Sequence, residues 1–243
     1  MTDHNSNTAV AERIKRAHKI LDAAVDLVLR WGYNKTTIDD IAKQAEVGKG
    51  TVYLHWKTRD DLFKTLIRRE QVAISEAFPK RIAADPQGAR LGNILKHTMI
   101  LVMERPLLKA LMLGDKDVWG KMLEGAYGNS AFIEKMAGFE TYIEFLSKRD
   151  LVRKDLSAKA QVAMCVAIVI GFFTVGPVLP EAYQQSDEEL ADLMSEVIRN
   201  TFEPKQEILH QELQEATTAF LEYTTHIANV LTEQFHKEME NSK

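Results

Sequence analysis

Apolar positions recur along this chain at helical spacing almost from end to end. Ile20, Ala24, Leu27, Val28 and Trp31 fall at i, i+4, i+7, i+8 and i+11, one stripe of a helix predicted over 12–31. Gly32 follows, where a left-handed C-cap residue would end it. Thr37-Ile38-Asp39-Asp40 reads as a capping box, in which the Thr37 hydroxyl accepts from the Asp40 amide and the Asp40 carboxylate reaches back to the Thr37 amide. The helix it opens is predicted to run to about Ala45, with Ile38, Ile41, Ala42 and Ala45 turned inward. Glu46, Val47 and Gly48 form a short turn, and a third helix is predicted from Lys49 to about Trp56. Thr58-Arg59-Asp60-Asp61 repeats the capping pattern and opens a longer helix from Arg59 to about Phe78, with Leu62, Phe63, Leu66, Ile67 and Ile74 apolar.

Beyond Pro79 the pattern stays helical, with segments expected near 88–104, 106–113, 130–148, 157–176 and 187–202 and a last helix from about Pro204 to Glu240. Strand-like alternation, repeats and low-complexity linkers are absent from the sequence, so the fold class is all-α. From Val162 to Leu179 the run is apolar enough to raise a membrane span. Gly176 and Pro177 would break its far end, and no Lys/Arg cluster flanks one side, so a buried helix of a soluble all-helical protein is the expectation.

The net charge of −4 looks wrong for a nucleic-acid binder, but its distribution reverses that impression. Residues 11–69 hold 13 Lys/Arg against 8 Asp/Glu, a net of +5, whereas residues 70–243 hold 18 against 26, a net of −8. A basic head on an acidic body suggests nucleic-acid contact at one end. The single cysteine, Cys165, allows no intrachain disulfide, and the polar start from Met1 to Val10 lacks the apolar core of a signal peptide, so a cytoplasmic protein is expected.

Residues 37–56 form helix, tight turn, helix, and the third helix is short and rich in small, polar and basic side chains, as entry into a major groove about 12 Å wide requires. On a wheel of about 100° per residue, Val52 and Trp56 anchor it to the core, and Gly50 and Leu54 point away. Thr51 and Tyr53 flank that outer face, and Lys49 and His55 sit at its edges within reach of phosphates. The plainer alternative is a pair of short helices that merely pack.

Residues Ile20 to Ala24, Gly32-Tyr33, Thr36-Thr37-Ile38, Ile41-Ala42, Ala45, Val47 to Tyr53 and Asp61-Leu62, taken in order, resemble the TetR/AcrR family of bacterial regulators over about residues 13–66. The resemblance implies a helix-turn-helix DNA-binding domain at 10–58 and a helical ligand-binding and dimerisation domain at 59–243. It implies that Thr36 or Thr37 meets phosphate at the start of the second helix, that Lys49, Gly50, Thr51, Tyr53, Leu54 and His55 face the groove, and that Lys57 lies at the backbone edge. Glu46 and Gly48 depart from the family, which often has Gly and Ser there; a non-Gly residue at positive φ costs energy.

The resemblance further implies a homodimer whose C-terminal domains bind a small, largely apolar inducer. For pairing, Ala163, Ala167 and Gly171 form a small-residue stripe, with Leu190, Leu193, Met194 and Val197 on the expected partner helix; close packing within one subunit is the alternative. For the ligand, Met99, Met103, Leu107, Leu111, Trp119, Tyr127, Phe139 and Phe172 are candidate apolar walls, and His97, Glu104 and Arg105 candidate polar contacts; for each, plain core is the alternative. Leu209, Leu213, Ala216, Phe220, Tyr223, Ile227 and Val230 alternate at four and three, which fits either an added dimer arm or an amphipathic helix packed on its own domain. Cys165 reads as a buried, inert thiol, the seven His lack metal-ligand spacing, and neither a phosphate loop nor a catalytic constellation stands out, so no metal, cofactor or enzymatic role is expected. The expected function is a regulator, most simply a repressor, that binds a near-palindromic double-stranded operator and is released by its inducer. The alternative is a DNA-bound regulator gated by a partner protein docking on the C-terminal helix.

Overall fold

The computed structural model describes residues 3–120, 130–205, 208 and 210–241. Among them the chain is helical, with no strand: α1 (Asp3–Trp31), α2 (Ile38–Gln44), α3 (Lys49–His55), α4 (Arg59–Ala84), α5 (Leu91–Met103), α6 (Pro106–Met112), α7 (Lys116–Trp119), α8 (Ser130–Lys148), α9 (Ala158–Val175), α10 (Asp187–Phe202) and α11 (His210–Asn241). Two compact units result. The first comprises Met1–Ala73, Pro106–Glu124 and Ile227–Lys243, and the second Ile74–Arg105 and Gly125–His226.

In the first unit the α1 stripe of Ala17, Ile20, Leu21, Ala24, Leu27 and Val28 is buried against Ile41 and Ala42 of α2, Val52 of α3, and Leu62, Phe63 and Leu66 of α4. Burying side chains of this size contributes about 1.5–3 kcal/mol each, and the shared core fixes the two short helices α2 and α3, which could not persist alone. Trp31 departs from the expected stripe. It is 47% exposed, because α1 ends there and no neighbouring element covers its last turn on that side. Leu107 of α6 and Trp119 of α7 join this core, where the Trp119 indole N–H donates to the Leu107 carbonyl at 3.1 Å. The C-terminal third of α11 completes it with Phe235 and Met239, and Glu238 pairs with Arg68.

The link between α1 and α2 is held from several directions. Gly32 takes φ +77°, its amide bonds back to Val28 O at 2.9 Å, and the Tyr33 amide donates to Val118 O at 2.6 Å. The Arg59 guanidinium lies 4.1 Å over the Tyr33 ring and donates to the carbonyls of Tyr33 and Thr36. The Tyr33 hydroxyl donates to Asp60, and burial followed by that carboxylate raises its pKa.

In the second unit α10 lies along α5. A Cβ on Gly92 would fall 2.8 Å from Arg199 Cγ and 2.9 Å from the Ser195 carbonyl, so the close approach depends on glycine. The Glu203 carboxylate accepts from Arg90 Nε at 2.6 Å and from the Gly92 amide at 2.8 Å, closing the first turn of α5. Ile143, Leu146, Cys165, Ile198, Phe202, Leu213 and Ala216 form its main core, and burial pushes the Cys165 thiol up to about 12. By length and composition α9 is apolar enough to cross a membrane, and it is not the buried helix expected: only 22% of it is buried, because its Ala163, Ala167 and Gly171 side faces away from the core that holds Cys165.

Two expectations about helices change. The chain does not stop at Phe78: α4 runs through Pro79 to Ala84, since proline costs one intrahelical bond, about 3 kcal/mol, which tertiary burial of residues such as Ile82 offsets. The seven-residue seam of α11 holds only for Leu213, Ala216 and Phe220, which are buried, while Tyr223, Ile227 and Val230 are exposed and Leu209 lies outside the described residues. The buried line continues instead through Ala228, Phe235 and Met239, nearer the natural period of a straight helix.

Candidate nucleic-acid interface

The unit formed by α2, its turn and α3 is fixed by local hydrogen bonds. Thr37 and Asp40 make the full capping box, with the Asp40 amide donating to Thr37 Oγ1 at 3.2 Å and the Thr37 amide to Asp40 Oδ2 at 3.1 Å. At the other end Val47 N–H reaches Ala42 O at 2.9 Å and Glu46 N–H reaches Lys43 O at 3.1 Å, the paired bonds of a Schellman motif. Its left-handed position is Glu46, at φ 52°. A side chain there costs about 1–2 kcal/mol. Lys19 Nζ, 2.7 Å from Glu46 Oε2, ties the turn to α1, and that contact lowers the Glu46 pKa.

The turn delivers α3 at a fixed angle. Gly48 is its N-cap in extended geometry, without a side-chain cap. Val52 and Trp56 are buried, and Trp56 Nε1–H donates to Thr65 Oγ1 at 3.0 Å. The opposite face is open: Leu54 is 65% exposed, Tyr53 and Lys49 are exposed, Thr51 is half-buried, and a Cβ on Gly50 would meet nothing within 4 Å. Lys57 is exposed just past the helix. A short helix presenting a bare backbone, a hydroxyl, a phenol, a methyl-bearing side chain and an ammonium group is equipped to meet base edges and phosphates in a groove. Lys49 Nζ sits 2.9 Å from Asp39 Oδ2, which raises its pKa; this exposed pair is weak enough to open for a phosphate.

Two expected contacts change. His55 is 4% exposed, so it does not edge the groove. It lies three residues after Val52, on the same inward side, and its ring packs beside Trp56 with centroids 5.3 Å apart. Thr36 is fully buried, and its hydroxyl donates to Gly32 O at 2.9 Å, which leaves Thr37 as the surface threonine at the start of α2.

Burial, aided by the charges of Arg13 and Arg16, pushes the His55 pKa down from 6.5 to about 4. The sign follows: the unfolded chain takes up a proton below pH 6.5 that the folded ring refuses until about pH 4, so stability is full above 6.5 and falls as pH drops between those values. From pH 7 to pH 5 this one group is expected to remove about 2 kcal/mol of unfolding free energy. Urea denaturation at the two pH values checks it, with His55→Leu as the reference; equal pH slopes in the two proteins would contradict the expectation. The proximity of Arg13 and Arg16 to this helix end was not anticipated, although the run Arg13-Ile14-Lys15-Arg16 was a visible signal.

The other candidates are distributed between the units. Leu107 and Trp119 are core residues of the first, tied by the hydrogen bond above, and Leu111 packs on the same core. Met99 and Met103 are buried and Phe139 and Phe172 half-buried in the second, and Tyr127 lies outside the described residues. His97 Nε2 is 2.9 Å from Asp85 Oδ2, which also accepts from Asn93 Nδ2 at 2.8 Å, and Glu104 pairs with Arg81. Arg105 stands at the end of the same segment. Ala163, Ala167 and Gly171 are exposed on α9, as are Leu193 and Val197 on α10. Leu190 and Met194 are instead buried, because their face of α10 is the one turned to its own core beside α5.

Residues 20–66 match the model of a family described as bacterial regulatory proteins, tetR family. The HTH-type transcriptional regulator QacR of Staphylococcus aureus is 39% identical over 62 residues, 26% of this chain and 33% of that protein. The chain spans about a third of the length of the first curated relatives it matches. In fold it is similar to SmeT, the repressor of the Stenotrophomonas maltophilia multidrug efflux pump SmeDEF, with 18% identity, TM-score 0.59 and coverage of 78% of this chain and 91% of the other. A SmeT–triclosan complex is similar at TM-score 0.53, with 16% identity and coverage of 79% and 93%.

Proposed function

We propose that this chain, whose residues 20–66 match the model of the tetR family of bacterial regulatory proteins, is a cytoplasmic transcriptional repressor that binds a near-palindromic DNA operator as a dimer. The exposed face of α3, fixed by the capping box and Schellman turn on a rigid core, is the observation that carries this reading. Phosphate contacts by Lys49, Lys57 and the Thr37 edge would supply salt-dependent affinity, and Thr51, Tyr53 and Leu54 would read bases past the bare backbone of Gly50.

The second unit would serve pairing and ligand response. Ala163, Ala167 and Gly171 on α9 and Leu193 and Val197 on α10 leave adjacent apolar faces uncovered in a single chain, and a second copy would bury them in a two-fold interface. Replacing both Leu193 and Val197 with Glu is expected to yield monomers in sedimentation velocity; a dimer unchanged by four buried carboxylates would contradict this interface. An apolar inducer is proposed for the region of Met99, Met103, Phe139 and Phe172, with His97 as a polar contact, and the triclosan complex of a protein of like fold supports it.

The experiment uses DNA fragments flanking the protein's own gene and a panel of apolar aromatic compounds, triclosan among them. One fragment is expected to be held against competitor DNA, and a compound that raises the protein's Tm is expected to release it, because an inducer must bind the DNA-free state more tightly. A compound that binds the protein yet leaves operator affinity unchanged would sink the release mechanism.

A further inference from the structure

Before its buried stripe begins at Ala17, α1 carries three cations in one turn, Arg13, Lys15 and Arg16. Five other basic side chains of the head have partners. Lys19 meets Glu46 at 2.7 Å, Lys49 meets Asp39 at 2.9 Å, Arg69 meets Asp22 at 2.6 Å, Arg68 meets Glu238, and Arg59 is spent on two backbone carbonyls. Arg13, Lys15 and Arg16 have no hydrogen-bond or ion-pair partner among the described residues, and one terminal guanidinium nitrogen of Arg13 is withdrawn from water without an acceptor. A charged donor held that way opposes folding.

Position says which function. Two contacts place α1 along the reading unit: Lys19 reaches the turn before α3, and Arg13 and Arg16 lie near enough to His55, at the far end of α3, for their charges to act on its ring. The unpaired cations therefore continue the edge of α3 on the next helix. His55, buried and neutral, adds no competing charge between them.

We infer that Arg13, Lys15 and Arg16 form a second phosphate-binding edge, gripping the DNA backbone beside the C-terminal end of α3. The inference rests on the DNA-binding reading above and assigns three contacts to it from outside the helix-turn-helix. The ligand is the sugar-phosphate backbone of duplex DNA, so the edge contributes affinity and register without sequence preference.

The test measures affinity of the full chain for a labelled random-sequence duplex and for a duplex carrying the bound own-gene fragment, between low and moderate salt. The proteins are wild type, R13Q/R16Q, and K148Q/K159Q, which removes two exposed charges from the second unit. R13Q/R16Q is expected to bind both duplexes roughly ten-fold or more weakly, equally for the two, with the log–log salt slope smaller by about two. K148Q/K159Q should bind as wild type does. R13L should melt no lower than wild type, since it removes an unsatisfied donor. An unchanged slope in R13Q/R16Q overturns the inference while leaving the DNA reading intact. An equal loss in K148Q/K159Q overturns it in favour of a net-charge effect, and a markedly lowered melting point for R13L overturns it in favour of a structural arginine. A wild-type protein that binds neither duplex removes this inference and the DNA reading together.

Discussion

Replacing Gly50 with glutamate is expected to weaken DNA binding by at least about 100-fold while leaving the fold intact, since like charges brought together at an interface cost several kcal/mol. The position allows both outcomes at once. Its backbone lies inside α3 on the exposed face, and a Cβ there meets nothing within 4 Å, so the folded chain has room for the new side chain. Replacing glycine inside a helix also removes an entropic cost of about 0.5–1 kcal/mol, so Tm should hold or rise. In the bound state the added carboxylate would stand where the backbone approaches the groove, against phosphates and acceptor-rich base edges. Gly50→Ala separates shape from charge and is expected to lose far less. Fluorescence anisotropy with the own-gene fragment and a thermal melt of the same sample check both halves; a G50E protein that binds like wild type would mean that α3 does not face DNA.

The largest loss of stability is expected at Gly32. At φ +77° an L-residue is strained, and a Cβ would stand 2.0 Å from the Asp117 carbonyl oxygen and 3.1 Å from its carbon. Neither atom is the flexible end of a side chain, so relief requires moving backbone. Around this point the Thr36 hydroxyl donates to Gly32 O at 2.9 Å and the Tyr33 amide to Val118 O at 2.6 Å, so the displacement would reach the entry to α2. Gly32→Ala is expected to cost about 4 kcal/mol or more, at the upper end of single substitutions. Gly48→Ser is the contrast: at φ −71°, with the nearest atom 3.7 Å from a new Cβ, it should be neutral or stabilising, because serine is a good N-cap. Urea denaturation of both variants decides it; a G32A midpoint near wild type would show that the backbone yields at no cost.

Features set by neighbouring residues were legible in the sequence. The Thr37 capping box, the left-handed Gly32 position and the inward set Ile38, Ile41, Ala42, Val52 and Trp56 all follow from rules that act within a turn or two of helix, whereas the left-handed turn position of Glu46 came from the family resemblance. Side-chain direction at helix ends was not legible. His55 could lie on either side of the last turn of α3, and packing beside Trp56 and α1 decided it. Thr36 looked like a surface hydroxyl until the Gly32 carbonyl, one turn back, claimed it. On α10 the apolar residues fall on two faces, and only the tertiary fit to α5 separates buried Leu190 and Met194 from exposed Leu193 and Val197. On α11 a seven-residue spacing and a straight helix diverge by about 20° per repeat, so a pattern that begins on the buried line ends off it. The short helix α7 went unseen because its four residues, Lys116–Trp119, are too few to show a helical period.

Two copies of α3 are expected to read DNA sequence as a symmetric pair. Selecting bound duplexes from a random-sequence pool with the full chain, then sequencing them, tests it most directly. The predicted result is enrichment of one short motif in two inverted copies about one helical turn apart, or a multiple of it, with binding that survives excess competitor DNA. A pool that stays unenriched, bound weakly and uniformly and released by modest salt, would contradict it.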